Sequence, residues 1–395
     1  MKVKPADRTN SVQEYYFSQK LKQIDQMRKS GADVINLGIG SPDQPPSEST
    51  IESLYREALK PTAHGYQSYI GIPALRSAFA KWYKTYFNVI LDPETEILPL
   101  MGSKEGIMHI SMAFVNPGDD VLVPNPGYPT YSSVSKLVGG NIKYYDLNEK
   151  NGWMPDIQKL EESDLQNVKV MWINYPHMPS GTLGSFRLFE QMTAFALKHN
   201  ILLCNDNPYS FILNKEYISL LAVDGAKEIA LELNSLSKSH NMAGWRVGMV
   251  AGHKEYISSV LKVKSNMDSG IFRAMQVAAA EALNNPPSWY DKVNSHYVSR
   301  RKIVEGIMDI LGCSYDKKQV GLFVWGRIPD TIKDCEGFVE DVLLKAYIFL
   351  TPGFIFGSNG ERYIRISLCA DEATLIEARD RIKKYLSEKP LTVNR

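Results

Sequence analysis

Cysteine is scarce in this chain, and its four instances stand apart: Cys204, Cys313, Cys335 and Cys369 form no Cys-x-x-Cys pair. That spacing argues against a zinc site or a disulfide framework and fits a reducing cytoplasm, with the thiols as small buried or half-buried hydrophobes. Long apolar runs are missing as well. No stretch of about 18 uninterrupted apolar residues occurs, so no membrane span is expected. About the first thirty residues are polar and charged, without the positively flanked apolar segment of a secretory leader. Neither sign of charge dominates: 45 basic and 44 acidic residues are interspersed and leave a formal net charge of +1. A nucleic-acid or anionic-membrane binder carries a basic footprint, so neither partner is expected. Internal repeats and low-complexity segments are absent too.

What remains is an ordinary globular composition, 44% hydrophobic and 23% charged over 395 residues, with room for a large core and a second domain. Short apolar, β-branched runs alternate with helical patterns between about residues 75 and 285. The strands are expected at Val121–Pro124, Val168–Asn174, Ile201–Asp206, Ile229–Ser235 and Val247–Gly252, and helices near 75–86, 104–115, 185–200 and 254–266. Such alternation indicates βαβ units and a mostly parallel sheet covered on both faces. Pro286-Pro287 breaks the pattern. Beyond it come a long helix (288–311), a strand (Gly321–Gly326), a helix (336–347), a strand (Tyr363–Leu368) and a last helix (372–386). The expected fold is therefore α/β: a large domain over 45–287, and a smaller α+β domain built from the arm 1–44 and residues 288–395.

The segment from Ser235 to Gly248, Ser-Leu-Ser-Lys-Ser-His-Asn-Met-Ala-Gly-Trp-Arg-Val-Gly, carries the clearest chemistry. Lys238 stands between small hydroxyl residues, and Arg246 follows eight positions later between glycines. A phosphate-bearing aldehyde needs this set: an amine for a Schiff base, with Ser235, Ser237 and a guanidinium for the phosphate. Asp206 and Tyr209 follow an apolar strand, where ligands of open α/β sheets sit. Gly102-Ser103-Lys104-Glu105-Gly106 opens a helix whose free N–H groups suit a phosphate.

These segments resemble the class I/II aminotransferases of fold type I, which use pyridoxal 5′-phosphate. The resemblance implies that Lys238 is the catalytic Schiff-base lysine, that Asp206 faces the pyridine nitrogen, and that Tyr209 donates to the phenolic oxygen. It assigns Ser103 and Lys104 to the phosphate cradle. Pro126-Gly127-Tyr128 resembles the segment whose aromatic stacks on the cofactor ring, so Tyr128 takes that role. Tyr66, in Tyr-x4-Gly-x-x-x-Leu-Arg, is similar to a tyrosine that crosses a dimer interface to the neighbouring phosphate, which implies a homodimer. Ile39 and Gly40 match the arm segment beside the substrate. Arg365, in Arg362-Tyr363-Ile364-Arg365, matches the arginine that forks onto the substrate carboxylate; Arg362 reads as a surface charge. No metal is implied.

One departure stands out. Asn174-Tyr175-Pro176-His177-Met178-Pro179-Ser180-Gly181 resembles a family segment that has asparagine where Met178 stands. A thioether is a weak acceptor without a donor, so it cannot replace an amide toward cofactor and substrate. The expected activity is amino-group transfer between an L-amino acid and a 2-oxo acid. The motifs also admit a β-eliminating C–S lyase, because fold type I lyases share Lys238, Asp206 and Arg246; a cofactor-binding protein without turnover is the lesser alternative, since the chain has no basic module of the kind such regulators carry.

Overall fold

The computed structural model describes residues 3–388. Strand β1 (Ile35–Asn36) lies in the N-terminal arm. Then come β2 (Ile97–Leu100), β3 (Asp120–Asn125), β4 (Asn141–Asp146), β5 (Val168–Ile173), β6 (Leu202–Asp206), β7 (Ala230–Ser235) and β8 (Gly248–Gly252). These seven form one sheet in the order β2-β8-β7-β6-β5-β3-β4. All neighbours are parallel except β8, which runs against both β7 and β2. A parallel neighbour for β7 would need a crossover connection of a dozen or more residues, usually a helix. The chain instead returns from Ser235 to Gly248 through a single helical turn, Leu236–Ser239.

Side chains alternate across the strands, and both faces are covered. Leu122, Met171, Ile173, Leu203 and Met249 meet Phe79, Trp82, Phe189 and Met192 from the helices Pro73–Phe87 and Phe186–His199. Val121, Val123, Val170, Trp172 and Leu231 point the other way. They meet Ile107, Val134 and Ile257 from Ser103–Phe114, Pro129–Leu137 and Lys254–Lys264. Coverage on both sides is why these strands read as continuous apolar runs.

The remaining strands are β9 (Ser314–Tyr315), β10 (Phe323–Arg327), β11 (Ile348–Phe349), β12 (Thr351–Pro352) and β13 (Tyr363–Ser367). Four of them make a small antiparallel sheet, β12-β13-β10-β9, while β11 pairs in parallel with β1 of the arm. A further apolar cluster joins Phe17, Ile24 and Leu37 of the arm to Val304, Val324, Val342, Ile366 and Leu375. The helix Pro287–Ile310 serves both cores: Tyr290 packs with the large sheet, and Val304 and Met308 with this cluster. Among the described residues no helix is long and apolar enough to cross a membrane.

Candidate active site

The sheet brings its chemistry to one edge. β2, β3, β5, β6 and β7 all end there, and antiparallel β8 begins there, with Ser235 and Leu100 both opposite Gly248. Ligands of open α/β sheets bind beyond such carboxyl ends. A cavity of about 340 Å³ opens at this edge. Ile39, Gly40, Ser103, Lys104, Tyr128, Asn174, Met178, Asp206, Tyr209, Ser235, Ser237, Lys238, Arg246 and Arg365 line it. Every site residue named from the sequence is therefore in its wall except Tyr66, which is 92% exposed and lies outside it.

Ser235 starts the turn that carries the lysine: its Oγ accepts the Ser237 N–H at 3.0 Å and caps the short helix. Lys238 Nζ donates to the Gly40 carbonyl of the arm. Burial lowers the Lys238 ammonium below its ordinary range; Cys369 opposes this, and the charges of Arg365 and Arg246 add to it. A larger neutral, nucleophilic fraction follows.

Asp206 ends β6. Its Oδ2 accepts from the Tyr131 hydroxyl at 3.0 Å, and Tyr131 stacks on Trp172, 5.1 Å between centroids. Its Oδ1 is buried and has no partner. Burial pushes this carboxyl up to about 7, against the hydrogen bond from Tyr131. Such an orphan acceptor fits a cationic ring nitrogen: a charged N–H would satisfy Oδ1 and bring the carboxyl back down.

The turn at Gly102 is equally specific. Gly102 precedes the helix Ser103–Phe114 with φ 85°, and a Cβ there would lie 2.3 Å from Arg246 Nη2, so only glycine lets the guanidinium reach this turn. Arg246 Nη2 donates to the Met101 carbonyl at 3.3 Å and Nη1 to that of Ala243 at 3.2 Å. No acidic side chain pairs with it among the described residues.

Arg365 is buried on β13 without a carboxylate. Its Nη2 donates to the Gly38 carbonyl at 2.8 Å, Nη1 lies 3.2 Å from the Met178 sulfur, and Nε has no partner. Its guanidinium lies over the Phe323 ring, 3.7 Å from the centroid, with Phe356 at 4.7 Å and Phe17 at 5.6 Å. Burial pushes Arg365 down to about 10, still protonated at neutral pH. A buried cation with no carboxylate partner and a free fork atom has the chemistry to receive a carboxylate.

A family model described as "Aminotransferase class I and II" matches residues 32–382. The chain belongs to that family. It is a pyridoxal-phosphate-dependent aminotransferase, working on amino acids and oxo acids. The LL-diaminopimelate aminotransferase of Dehalococcoides mccartyi is 38% identical over 98% of this chain and 100% of that protein. That of Aquifex aeolicus is 38% identical over 96% and 98%. Among solved structures, apo-BacF from Bacillus subtilis superposes with a TM-score of 0.94 at 34% identity, over 99% of this chain and 100% of that one.

Several wall residues of this aminotransferase had no assigned role in the sequence reading: Tyr15, Phe17, Tyr131, Phe323 and Phe356. Tyr131 stands three residues beyond Tyr128 in the sequence. Tyr15 and Phe17 had only the aromatic triplet Tyr15-Tyr16-Phe17 as a signal. Arg362 is not a free surface charge: it is half-buried, bonding the Ile332 carbonyl and, at 2.8 Å, that of Pro329. Asn174 is occupied by backbone, donating to the Asp206 carbonyl and accepting the Met178 N–H at 2.9 Å.

Proposed function

We propose that this aminotransferase acts on an amino acid of the diaminopimelate type, with Lys238 as its catalytic residue. The full-length likeness to proteins named LL-diaminopimelate aminotransferase supports the substrate. The observation that carries the site is the trio of groups gathered in one cavity: a neutral-leaning Lys238, an orphan Asp206 Oδ1 and an Arg365 without a carboxylate partner.

Pyridoxal phosphate, when bound, supplies an aldehyde for the amine and a ring that withdraws electrons. With that group bound, Lys238 Nζ would be the amine that takes the aldehyde and, once free, the base that holds the proton lost by the substrate α-carbon. Asp206 Oδ1 would keep a proton on the cofactor's ring nitrogen, Tyr209 would donate to its phenolic oxygen, and Tyr128 would supply the aromatic beside its ring. Ser103, Lys104, Ser235, Ser237 and Arg246 hold the phosphate. Arg365 orients the carboxylate, with Ile39 and Gly40 beside it. Phe17, Phe323 and Phe356 exclude water, which strengthens each charge contact.

We further infer a homodimer in which Tyr66 serves the other subunit's phosphate; its 92% exposure within one chain supports this. The two-domain division at 45–287 is supported by the separate apolar clusters, and a cytoplasmic location by four unpaired cysteines. The deciding experiment is a panel of single amino acids in the absence of acceptor. LL-diaminopimelate should convert the yellow cofactor to its pyridoxamine form fastest, and a 2-oxo acid should restore it. Release of pyruvate and ammonia from one sulfur amino acid would overturn the reading.

A further inference from the structure

Ile39 and Gly40 reach the site on a strap of the arm that is fixed at both ends. At its start Ile35 and Asn36 pair with β11, the Leu37 N–H donates to the Phe349 carbonyl at 2.9 Å, and the Leu37 carbonyl accepts the Ser367 N–H at 2.8 Å. Two glycines then let the backbone pass. A Cβ on Gly38 would lie 2.3 Å from the Phe349 ring, and one on Gly40 would lie 2.2 Å from the Phe323 ring. Their carbonyls meet the two cations of the site: Gly38 accepts from Arg365 Nη2 at 2.8 Å, and Gly40 accepts from Lys238 Nζ.

Glycine permits this approach but also carries the largest backbone freedom, so the strap needs a hold at its far end. Asp43 supplies it. Its Oδ1 accepts from Arg300 Nη1 at 2.6 Å and its Oδ2 from Arg300 Nη2 at 2.7 Å, and Gln44 Nε2 adds a bond to Oδ2 at 3.2 Å. Pro42 stands just before Asp43, and its ring fixes the backbone φ at that joint. Arg300 is buried on the helix Pro287–Ile310, and its Nη1 also donates to the Leu368 carbonyl at 3.2 Å, just past the strand that carries Arg365. A second tie, from Asn241 Nδ2 to the Pro45 carbonyl at 3.2 Å, joins the chain beyond the strap to the lysine segment.

A two-point fork of this kind places groups better than it stabilises them. Desolvating two charges offsets most of their attraction. The planar guanidinium and carboxylate, however, fix distance and angle together, which a lysine cannot do. The fork therefore joins a helix shared by both cores to a short backbone, Gly38 to Pro42, that touches Lys238 and Arg365 at once.

We propose that Asp43 and Arg300 are positioning residues for the reaction, a clamp that sets how closely the Gly38 and Gly40 carbonyls approach Arg365 and Lys238 and that holds Ile39 beside the substrate. The proposal rests on the reading of Lys238 as the amine and Arg365 as the carboxylate receptor. With the clamp closed, each cation has a fixed acceptor from the arm, which orients its remaining N–H groups. With the clamp cut, the strap drifts, both cations lose that reference, and the amino acid is held less tightly.

The test is Asp43→Asn, which keeps the side chain's shape and one acceptor but loses the charge. Two readouts are taken on the holoenzyme. One is amide hydrogen exchange along residues 37–44; the other is the half-saturating concentration of LL-diaminopimelate for converting the yellow cofactor, kept separate from the rate at saturation. One charge-assisted hydrogen bond corresponds to about tenfold. Exchange in the strap and the half-saturating concentration should both rise about tenfold, while the amides of β5, β6 and β7 keep their protection. A merely structural pair would lower the amount of active enzyme, hence the saturating rate alone, and would raise exchange throughout. That pattern, or an unchanged strap, overturns the proposal. Arg300→Lys keeps the charge without the fork; it should give the same local result and stands in if Asp43→Asn does not fold. The double variant should go no further than the worse single, because both act through one contact, and additive effects overturn the clamp. If wild type does not convert LL-diaminopimelate, the substrate reading fails and strap exchange decides the clamp alone. Arg365→Lys should also raise the half-saturating concentration. If it does not, the carboxylate-receptor reading fails; if it does while Asp43→Asn matches wild type in both readouts, only the clamp fails.

Discussion

Arg365 Nη1 sits 3.2 Å from the sulfur of Met178, the residue that departs from the family pattern. The thioether thus occupies one donor of the guanidinium weakly, where an amide would bond it strongly. His177 does not substitute for the missing amide. It is buried, pushed down to about 4, and held by Ser180 Oγ at 2.7 Å and the Pro126 carbonyl at 3.2 Å.

Met178→Asn should therefore restore a donor toward the phenolic oxygen of the cofactor. A pH titration of the visible absorbance should show a lower midpoint in the variant, and the KM for the amino acid should fall by about tenfold. An unchanged titration would mean that another group already fills this place.

Lys238→Ala should abolish the yellow absorbance of the lysine-bound cofactor and lower kcat at least about a thousandfold, since both a covalent anchor and a proton carrier are lost. Borohydride reduction checks it, and a reducible adduct on the variant would refute the assignment.

Asp206→Asn should slow kcat by more than about tenfold, or 1.4 kcal/mol, and should also change the apoenzyme. Burial raises this carboxyl from 3.8 to about 7 in the folded chain. Its contribution to stability is thus fully present below the unfolded value and is lost as pH rises through about 7. The asparagine variant escapes that loss, so its cofactor-free Tm should exceed wild type at pH 8, by on the order of 4 kcal/mol in stability. Equal Tm values across pH would count against a buried carboxylate with one unpartnered oxygen.

Arg246→Ala should weaken cofactor binding by about 10- to 100-fold with little change in kcat at saturating cofactor. Gly102→Ala should imitate it, because the new Cβ would stand 2.3 Å from Arg246 Nη2. Dialysis against free phosphate measures both.

Mixing Lys238→Ala with Tyr66→Phe subunits should regain activity, because one site per heterodimer then holds both native groups. Failure of the mixture to exceed its parents would exclude a shared site.

Much of this was legible in the chain, and the misses share a cause. β5, β6 and β7 announced themselves because strands covered on both faces are apolar throughout. β4, Asn141–Asp146, is an edge strand with its residues mostly exposed or half-buried, and β2 is short and contains Pro99; neither leaves such a run. The helix Tyr16–Lys29 buries only Phe17 and Ile24, too little for a periodic signal.

The sequence alone pointed to the cofactor chemistry, because Ser235, Ser237, Lys238 and Arg246 stand in one contiguous segment whose spacing is itself the signal. Tertiary structure decided which side chains surround Arg365. Tyr15 and Phe17 from the arm, Met178 after β5, Phe323 on β10 and Arg365 on β13 meet only when two cores pack together. No local pattern encodes such contacts, since each residue's environment is supplied by chain hundreds of positions away. The same holds for the reversal of β8: a short return from Ser235 forces it antiparallel, and that reversal puts Arg246 at the edge where the parallel strands end.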